Sequence, residues 1–135
     1  MADSMSELLR RDMDCEGLLE CFHGLTDLDK RVFEELNDSE DALTIDEVAA
    51  RVDRERSTAY RSVKRLRDAG FVEQDQVNYE QGGYHHVYRP RDAEEVAREL
   101  QRTLNDWYAK MGSLIGEFEE KYADEPARDA AHADD

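Results

Sequence analysis

The sequence lacks an apolar run long enough to cross a membrane, and it has no signal peptide. It also lacks a glycine-rich phosphate loop, a metal-binding helix motif and a nucleophile elbow, so an enzyme is the least expected class of protein. Its two cysteines are too few for a disulfide framework. These absences predict a cytoplasmic, non-enzymatic protein without a cofactor. Its 135 residues suffice for one domain with appended helices.

Basic residues are also scarce. The chain has 18 lysines and arginines against 34 aspartates and glutamates, which gives a formal net charge of −16. Such a charge ordinarily opposes DNA binding. The acidic excess, and four lysines against fourteen arginines, resemble proteins of extreme halophiles. At about 1 M salt the screening length is only about 3 Å, so distant carboxylates are nearly invisible to DNA, and direct arginine contacts carry more of the affinity.

The stretch from Thr44 to Gly70 has the pattern of two short helices joined by a tight turn. Thr44 and Glu47 form a capping box ahead of an apolar stripe that ends near Arg51. Asp53 is the expected N-cap of the second helix, which ends where Gly70 can adopt the left-handed C-cap conformation. This pattern predicts a helix-turn-helix.

The outward face of the second helix is basic although the protein as a whole is acidic. Segment 54–67 carries six Lys or Arg and one Glu. Arginine can hold guanine O6 and N7 with two parallel donors, and hydroxyl groups suit phosphate oxygens or base edges. The alternative is that this face is merely solvated. The predicted DNA contacts are Arg54, Arg56, Ser57, Thr58, Tyr60, Arg61, Lys64 and Arg65.

A β-hairpin is predicted next, with strands from Phe71 and from Tyr84 to Tyr88 around a turn that contains Gly82-Gly83. Helix-turn-helix followed by hairpin predicts a winged helix-turn-helix over residues 24–90, a fold that is mainly α with a small β-hairpin. The wing adds three predicted DNA contacts, Tyr84, His85 and His86. The alternative is that Tyr84, Val87 and Tyr88 mainly pack the hairpin.

Segment 52–77, VDRERSTAYRSVKRLRDAGFVEQDQV, resembles the winged-helix domain of archaeal TrmB-type transcription regulators, which are related to MarR-like regulators. The resemblance covers about residues 25–90. It implies a sequence-specific regulator that binds double-stranded DNA. A sugar ligand is not expected, because the large C-terminal effector domain of the sugar-sensing members has no counterpart in this sequence.

Helices are predicted on both sides of this domain. Residues 1–23 form one, with Met5, Leu8, Cys15, Leu18, Leu19 and Phe22 on one broad face. Residues 91–122 form a long helix with a coiled-coil-like stripe of Leu100, Leu104, Trp107, Met111, Ile115 and Phe118. A small winged core cannot cover this stripe, so we predict a homodimer built from the terminal helices. The alternative is that the two terminal helices pack within one chain. The acidic segment 123–135 is predicted to be a disordered tail.

The two cysteines lie in the predicted first helix. Cys15 falls on its apolar stripe, and Cys21, nearer the polar side, is expected to be the more exposed thiol. In one helix their Cα atoms would be about 9 Å apart, so a disulfide would have to join two chains. A small buried core residue is the alternative for Cys15. The resemblance extends to small haloarchaeal regulators that sense oxidants through thiols, which implies a redox role for Cys15 first and Cys21 second.

Other functions stay open at this point. Metal sensing is one alternative, with a thiolate-imidazole site of Cys15, Cys21, His23 and acidic side chains and a second site at His85 and His86. The spacing of the first set, Cys-x5-Cys-x-His, matches no structural zinc pattern. A small-molecule effector is a further alternative. An interaction winged helix of the transcription machinery is another, although such an adaptor would not require the basic face of segment 54–67.

Overall fold

The computed structural model describes residues 6–7, 14–15 and 17–123. Two compact units divide the chain, Met1–Val96 and Ala97–Asp135. The described elements, in chain order, are α1 (Gly17–His23), α2 (Asp27–Asp38), α3 (Ile45–Val52), α4 (Arg56–Asp68), β1 (Val72–Asn78), β2 (Tyr84–Pro90), α5 (Ala93–Phe118) and a π-helical turn, Glu119–Ala123. In this part of the chain, no helix combines the length and the apolar character needed to span a bilayer.

Short-range capping signals start the helices of the first unit. The hydroxyl of Thr44 accepts a hydrogen bond from the N–H of Glu47 at 3.2 Å, and the Glu47 carboxylate accepts one from the N–H of Thr44 at 2.9 Å. Thr26 and Asp29 make the same reciprocal pair at the start of α2. The predicted capping box at Thr44 is confirmed.

The turn between α3 and α4 differs from its prediction. Asp53 has φ 55° and ψ 52°, the left-handed conformation, and it ends α3 by donating its N–H to the carbonyl of Ala49. It is not the N-cap of α4, which is Glu55 and makes no side-chain capping bond. Arg54 therefore lies in the turn and not on the helix. Only three residues separate α3 from α4, and aspartate tolerates the left-handed conformation better than most residues.

One apolar core lies between the helices and the hairpin of the first unit. On α3 and α4 its residues recur at intervals of three and four, so one face of each helix is buried and the other is exposed. The fully buried side chains include Val32, Leu36, Val48, Val52, Val63, Leu66 and Val72.

The hairpin is confirmed and is attached to the helices by backbone hydrogen bonds. β1 and β2 pair antiparallel from Val72↔Pro90 to Asn78↔Tyr84. Gly82 and Gly83 adopt φ 94° and 83° in the connecting turn, which side chains other than glycine adopt only at a cost. Leu43, just before α3, exchanges two backbone hydrogen bonds with Tyr88 at 2.8 and 2.9 Å. The helix-turn-helix of α3 and α4 followed by this hairpin is the order predicted for a winged helix-turn-helix.

The alternative that the wing tyrosines mainly pack the hairpin holds for Tyr88 but not for Tyr84. Tyr88 is 3% exposed and belongs to the core, whereas Tyr84 is 59% exposed. Val87 is half-buried. Successive residues of a strand point to opposite faces, so Tyr84 and Tyr88 share a face, but only Tyr88 lies over the helices.

The prediction of one helix over residues 1–23 is wrong. Ser6 and Glu7 are helical, but Asp14 and Cys15 are not. The carboxylate of Asp14 accepts a hydrogen bond from the N–H of Gly17 at 3.1 Å, and α1 starts there. Aspartate at this position favours a new helix start over a continuous helix. Met5 and Leu8, predicted on the same stripe, lie outside the described residues.

The second unit contains most of α5. The helix runs as predicted to the π-helical turn near Tyr122, and none of its described residues is buried. Leu100 and Trp107 are half-buried. The remaining predicted seam residues are exposed, namely Leu104, Met111, Ile115 and Phe118. The predicted acidic tail, apart from Ala123, lies outside the described residues.

Candidate nucleic-acid interface

Helix α4 presents one face to the core and the other outward. Its inner face consists of Ala59, Ser62, Val63 and Leu66, all buried. Because this face is fixed against the core, the rotation of the helix about its own axis is fixed as well. The outward residues are Ser57, Tyr60, Arg61 and Lys64, with Thr58 half-buried beside them.

The cations of this outward face differ in their partners. Arg56 Nε lies 3.0 Å from Asp46 Oδ1 at the start of α3, and Lys64 Nζ lies 3.4 Å from Asp68 Oδ2. Arg61 donates a weak hydrogen bond to the hydroxyl of Thr58 at 3.4 Å, and it forms no ion pair with any residue that the structure describes. Arg61 is therefore the cation of α4 that is most available to an external anion.

Arg65 was predicted to contact DNA, but in the structure its guanidinium is paired with a carboxylate of the same chain. Its guanidinium donates three hydrogen bonds of 2.8 to 3.2 Å to the carboxylate of Asp29, which is completely buried. Ser62 donates a further hydrogen bond of 2.5 Å to the same carboxylate. The paired geometry suits the planar donors of arginine. We therefore remove Arg65 from the proposed contact set.

The pKa of Asp29 reflects this environment. Burial by itself raises the pKa of the carboxyl group, but the hydrogen bonds from Arg65, Ser62 and the backbone N–H of Thr26 outweigh it, so the pKa is lowered from its ordinary value. The same bond raises the pKa of Arg65. Asp29 is therefore a buried anion that ties α2 to α4.

The turn before α4 supplies one more predicted contact. Arg54 donates a hydrogen bond to the carbonyl of Asp53 at 3.3 Å and, within the described part of the chain, makes no ion pair. The first backbone N–H groups of α4 point in the same direction along the helix axis. Free N–H groups at a helix start and a neighbouring guanidinium together suit a phosphate group.

The wing is acidic rather than basic. Arg89 Nε lies 2.8 Å from Glu73 Oε1, and the same guanidinium also pairs with Asp75. The three predicted wing contacts form ring pairs. Tyr84 pairs with His86 at 5.4 Å between ring centroids, and His85 pairs with Tyr79 at 4.9 Å. The three predicted wing residues line one cavity together with Arg56 and Tyr60 of α4. The structure thus brings the wing and the first turn of α4 together.

The two cysteines are placed differently from their prediction. Cys15 is exposed in the turn before α1, and Cys21 is half-buried on α1. The expected order of exposure is therefore reversed, because the helix restarts at Gly17. Neither thiol is in a disulfide. Among residues 6–7, 14–15 and 17–123, no group of three His, Cys, Asp or Glu side chains is arranged to hold a metal ion.

Two acidic residues of this region have no counterpart among the predicted site residues. Asp29 carries a local signal, since it stands three residues after the capping Thr26, but nothing local indicates that it also binds Arg65. Asp46 pairs with Arg56 from ten positions away in the sequence. Both pairings depend on how α2, α3 and α4 pack together.

The sequence matches a known family of regulators. Residues 19–94 match the family described as sugar-specific transcriptional regulator TrmB. An uncharacterized protein of Methanocaldococcus jannaschii is 32% identical over 104 residues, which are 77% of this chain and 78% of the relative. A second uncharacterized protein of that archaeon is 30% identical over 105 residues, or 78% of this chain and 86% of the relative.

A solved structure has a similar fold. It is described as a possible transcriptional regulator from Methanosarcina mazei Go1, and it has a TM-score of 0.67 with 24% sequence identity. The similarity covers 81% of this chain and 96% of that one. At this identity the likeness concerns the fold, and it confirms the predicted winged helix.

Proposed function

The chain belongs to the TrmB family of transcriptional regulators, and we propose that it is a dimeric, sequence-specific DNA-binding regulator whose helix α4 enters the major groove. The observation that carries the proposal is Arg61. It stands on the outward face of a helix whose inner face is fixed in the core, and no described carboxylate neutralises it. Its guanidinium can therefore hold a guanine edge with two donors.

The other proposed contacts are graded by their partners. Ser57 and Thr58, in the first turn of α4, and Arg54, just before it, suit phosphate oxygens. To contact DNA with its whole guanidinium group, Arg56 must break its ion pair with Asp46, and to contact DNA Lys64 must break its ion pair with Asp68. Since both of these ion pairs are exposed, that exchange costs little. Tyr60, Tyr84, His85 and His86 complete the contact set from the side of the wing.

We propose that the chain forms a homodimer through α5. The apolar side chains Leu104, Met111, Ile115 and Phe118 are exposed, at a spacing of three to seven residues. Such a seam is typical of a helix that packs against another helix. Two recognition helices about 34 Å apart would then contact a roughly palindromic operator.

We propose that the thiols make this regulator responsive to oxidants. Cys15 is exposed and Cys21 half-buried, so an oxidant can reach the first more easily. A disulfide between the Cys15 residues of two subunits would restrict the distance between the two recognition helices. The cysteines then act on DNA occupancy without touching the DNA.

The decisive experiment is selection of a binding sequence from random DNA in molar KCl, followed by fluorescence anisotropy titration. We expect Arg61→Ala to weaken binding to the selected sequence by about tenfold or more and to reduce its preference over random DNA. Arg102→Ala, on exposed α5, removes the same charge away from α4 and should leave the affinity within about twofold.

Two outcomes would contradict this proposal. If Arg61→Ala kept wild-type affinity for the selected sequence, the placement of α4 in the groove would be wrong. If no sequence were enriched under any salt condition, the winged helix would act as a protein-interaction module instead.

A further inference from the structure

One ion pair joins the two helices of the helix-turn-helix beside the outward face of α4. Arg56 is the first residue of α4, and its Nε donates a hydrogen bond of 3.0 Å to Oδ1 of Asp46, in the first turn of α3. The side chain of Arg56 is 68% exposed and that of Asp46 is 76% exposed. Exposed pairs add little to the stability of a fold, so this pair does little to hold the two helices together.

The contact engages only one nitrogen of the guanidinium. Nη1 and Nη2 of Arg56 form no hydrogen bond with any residue that the structure describes. The guanidinium is planar and its donors stand in a fixed fork, so a carboxylate on Nε also restricts the direction of the two terminal nitrogens. Guanine accepts two parallel donors from arginine at its O6 and N7 atoms. Arg56 therefore keeps the donors that read a base while it is paired with Asp46.

Both partners stand on backbone that the core holds in place. α3 buries one face and starts at a capping box, and α4 is held by its buried inner face. The aspartate side chain is short, so its carboxylate moves little, whereas a free arginine loses much conformational freedom when it binds. Because Asp46 already restricts Arg56, less of that freedom is left to lose when DNA binds.

The charge of the pair favours a base edge over a phosphate group. A lone guanidinium is attracted to every phosphate along the DNA backbone. Asp46 offsets the charge of Arg56, and its carboxylate repels a phosphate that approaches the pair. A guanine edge is uncharged and needs only the two donors that Arg56 still offers. The pair therefore loses more attraction for the backbone than for a base.

We propose that Asp46 is a positioning residue for base readout. It holds Arg56 through Nε, so that the two terminal nitrogens bind O6 and N7 of one guanine in each half of the operator. This guanine is distinct from the one bound by Arg61, which lies five positions further along α4. The inference rests on the proposed function, because it requires α4 to lie in the major groove. Asp46 then contributes to sequence preference without touching the DNA.

The contact is located by replacing each guanine of the selected sequence in turn with 7-deazaguanine, which lacks the N7 acceptor. Anisotropy titration of the full chain then gives the affinity for each DNA. For the wild type, we expect a replacement at the guanine read by Arg56 to weaken binding about threefold to tenfold. In Arg56→Ala and Asp46→Ala the same replacement should cost less than about twofold, because the contact is already lost.

Two further variants separate positioning from charge. Asp46→Asn removes the charge but keeps an oxygen that can accept from Nε, so it should retain most of the replacement's cost. Asp68→Ala is the matched control, because it removes the carboxylate of the other exposed ion pair, that of Lys64, and it should retain all of this cost. Asp46 and Asp68 are exposed, so these variants should fold, and circular dichroism checks that they do.

Three results would overturn the inference. If 7-deazaguanine costs Asp46→Ala as much as the wild type at every position, Asp46 does not position Arg56. If Asp46→Ala and Asp68→Ala both tighten binding to selected and random DNA alike, Asp46 acts only as a repelling charge. If no sequence is enriched, the proposed function fails and this inference fails with it. Loss of binding in Arg61→Ala, with no guanine that depends on Arg56, would leave the proposed function standing and refute the positioning role alone.

Discussion

The guanidinium of Arg65, on the recognition helix, donates three hydrogen bonds to the carboxylate of Asp29, 36 positions earlier in the chain. The carboxylate is completely buried, whereas the Arg65 side chain is 44% exposed. Asp29 also caps α2 through the N–H of Thr26. One buried anion therefore links the start of α2 to the outer side of α4, whose rotation is fixed by its apolar inner face.

Removal of Arg65 should destabilise the fold. Arg65→Ala leaves the Asp29 carboxylate buried with fewer donors, and we expect a loss of about 2 to 3 kcal/mol in the free energy of unfolding, measured by chemical denaturation. Arg61→Ala is the matched control on the same helix. Because Arg61 pairs with no described carboxylate, that variant should stay within about 0.5 kcal/mol of the wild type. Equal stability of the two variants would contradict a structural role for Arg65.

Stability should depend on pH through Asp29. Its pKa in the folded chain is lowered from the ordinary value of 3.8, so the stabilisation is complete above that value and is lost as the pH falls through the lower folded pKa. Arg65→Ala removes two of the interactions that lower the pKa of Asp29, so that pKa should be higher than in the wild type. We therefore expect acid unfolding of that variant to begin at a higher pH than in the wild type. Circular dichroism from neutral to acid pH measures both onsets, and coinciding onsets would contradict the role of Asp29.

The apolar seam of α5 should determine the oligomeric state. A charge at Met111 or Phe118 would be buried in the proposed interface without a partner, so Met111→Asp and Phe118→Asp should convert the dimer into a monomer in sedimentation. Ser113→Asp adds the same charge between them, away from the seam, and should leave the dimer intact. A wild-type chain that sediments as a monomer at working concentration would refute the dimer.

The two thiols should differ in reactivity. Cys15 is exposed and Cys21 is half-buried, so a thiol reagent should modify Cys15 first. After oxidant treatment, a cross-linked dimer is expected on a non-reducing gel for the wild type and Cys21→Ser, but not for Cys15→Ser. DNA occupancy should change with oxidant in the same two proteins. If occupancy is equal in every redox state, the cysteines are not sensors.

Much of the fold was predictable because its signals act over a few residues. The Thr44–Glu47 capping box places the start of α3, and Gly82 and Gly83 permit the tight turn of the wing. The three-and-four spacing of Val63 and Leu66 with their neighbours identifies the inner face of α4. Each of these depends on contacts between positions at most a few residues apart, which the amino-acid order specifies directly.

The errors arose where two local preferences compete. An aspartate can mark either the start or the end of a helix. In the structure Asp14 stands before the start of α1, whereas Asp53 ends α3. Aspartate accepts hydrogen bonds from N–H groups, which suits a helix start, and it also tolerates the left-handed conformation, which suits a helix end. The residue type alone therefore does not decide between a start and an end. Because Asp53 ends α3 and does not cap α4, Arg54 lies in the turn. Because α1 starts only at Gly17, Cys15 lies in the turn before it and is exposed.

The sequence alone determined the order of the elements, their inner faces and the outward, basic character of α4, since each follows from local hydrogen bonding and hydrophobic periodicity. Only the tertiary structure decided which arginine on that helix remains available. Arg61 and Arg65 are the same residue type one turn apart, yet Arg65 meets the buried carboxylate of Asp29 and Arg61 meets no described carboxylate. That difference depends on where α2 packs against α4, and such a distance is set by the whole core.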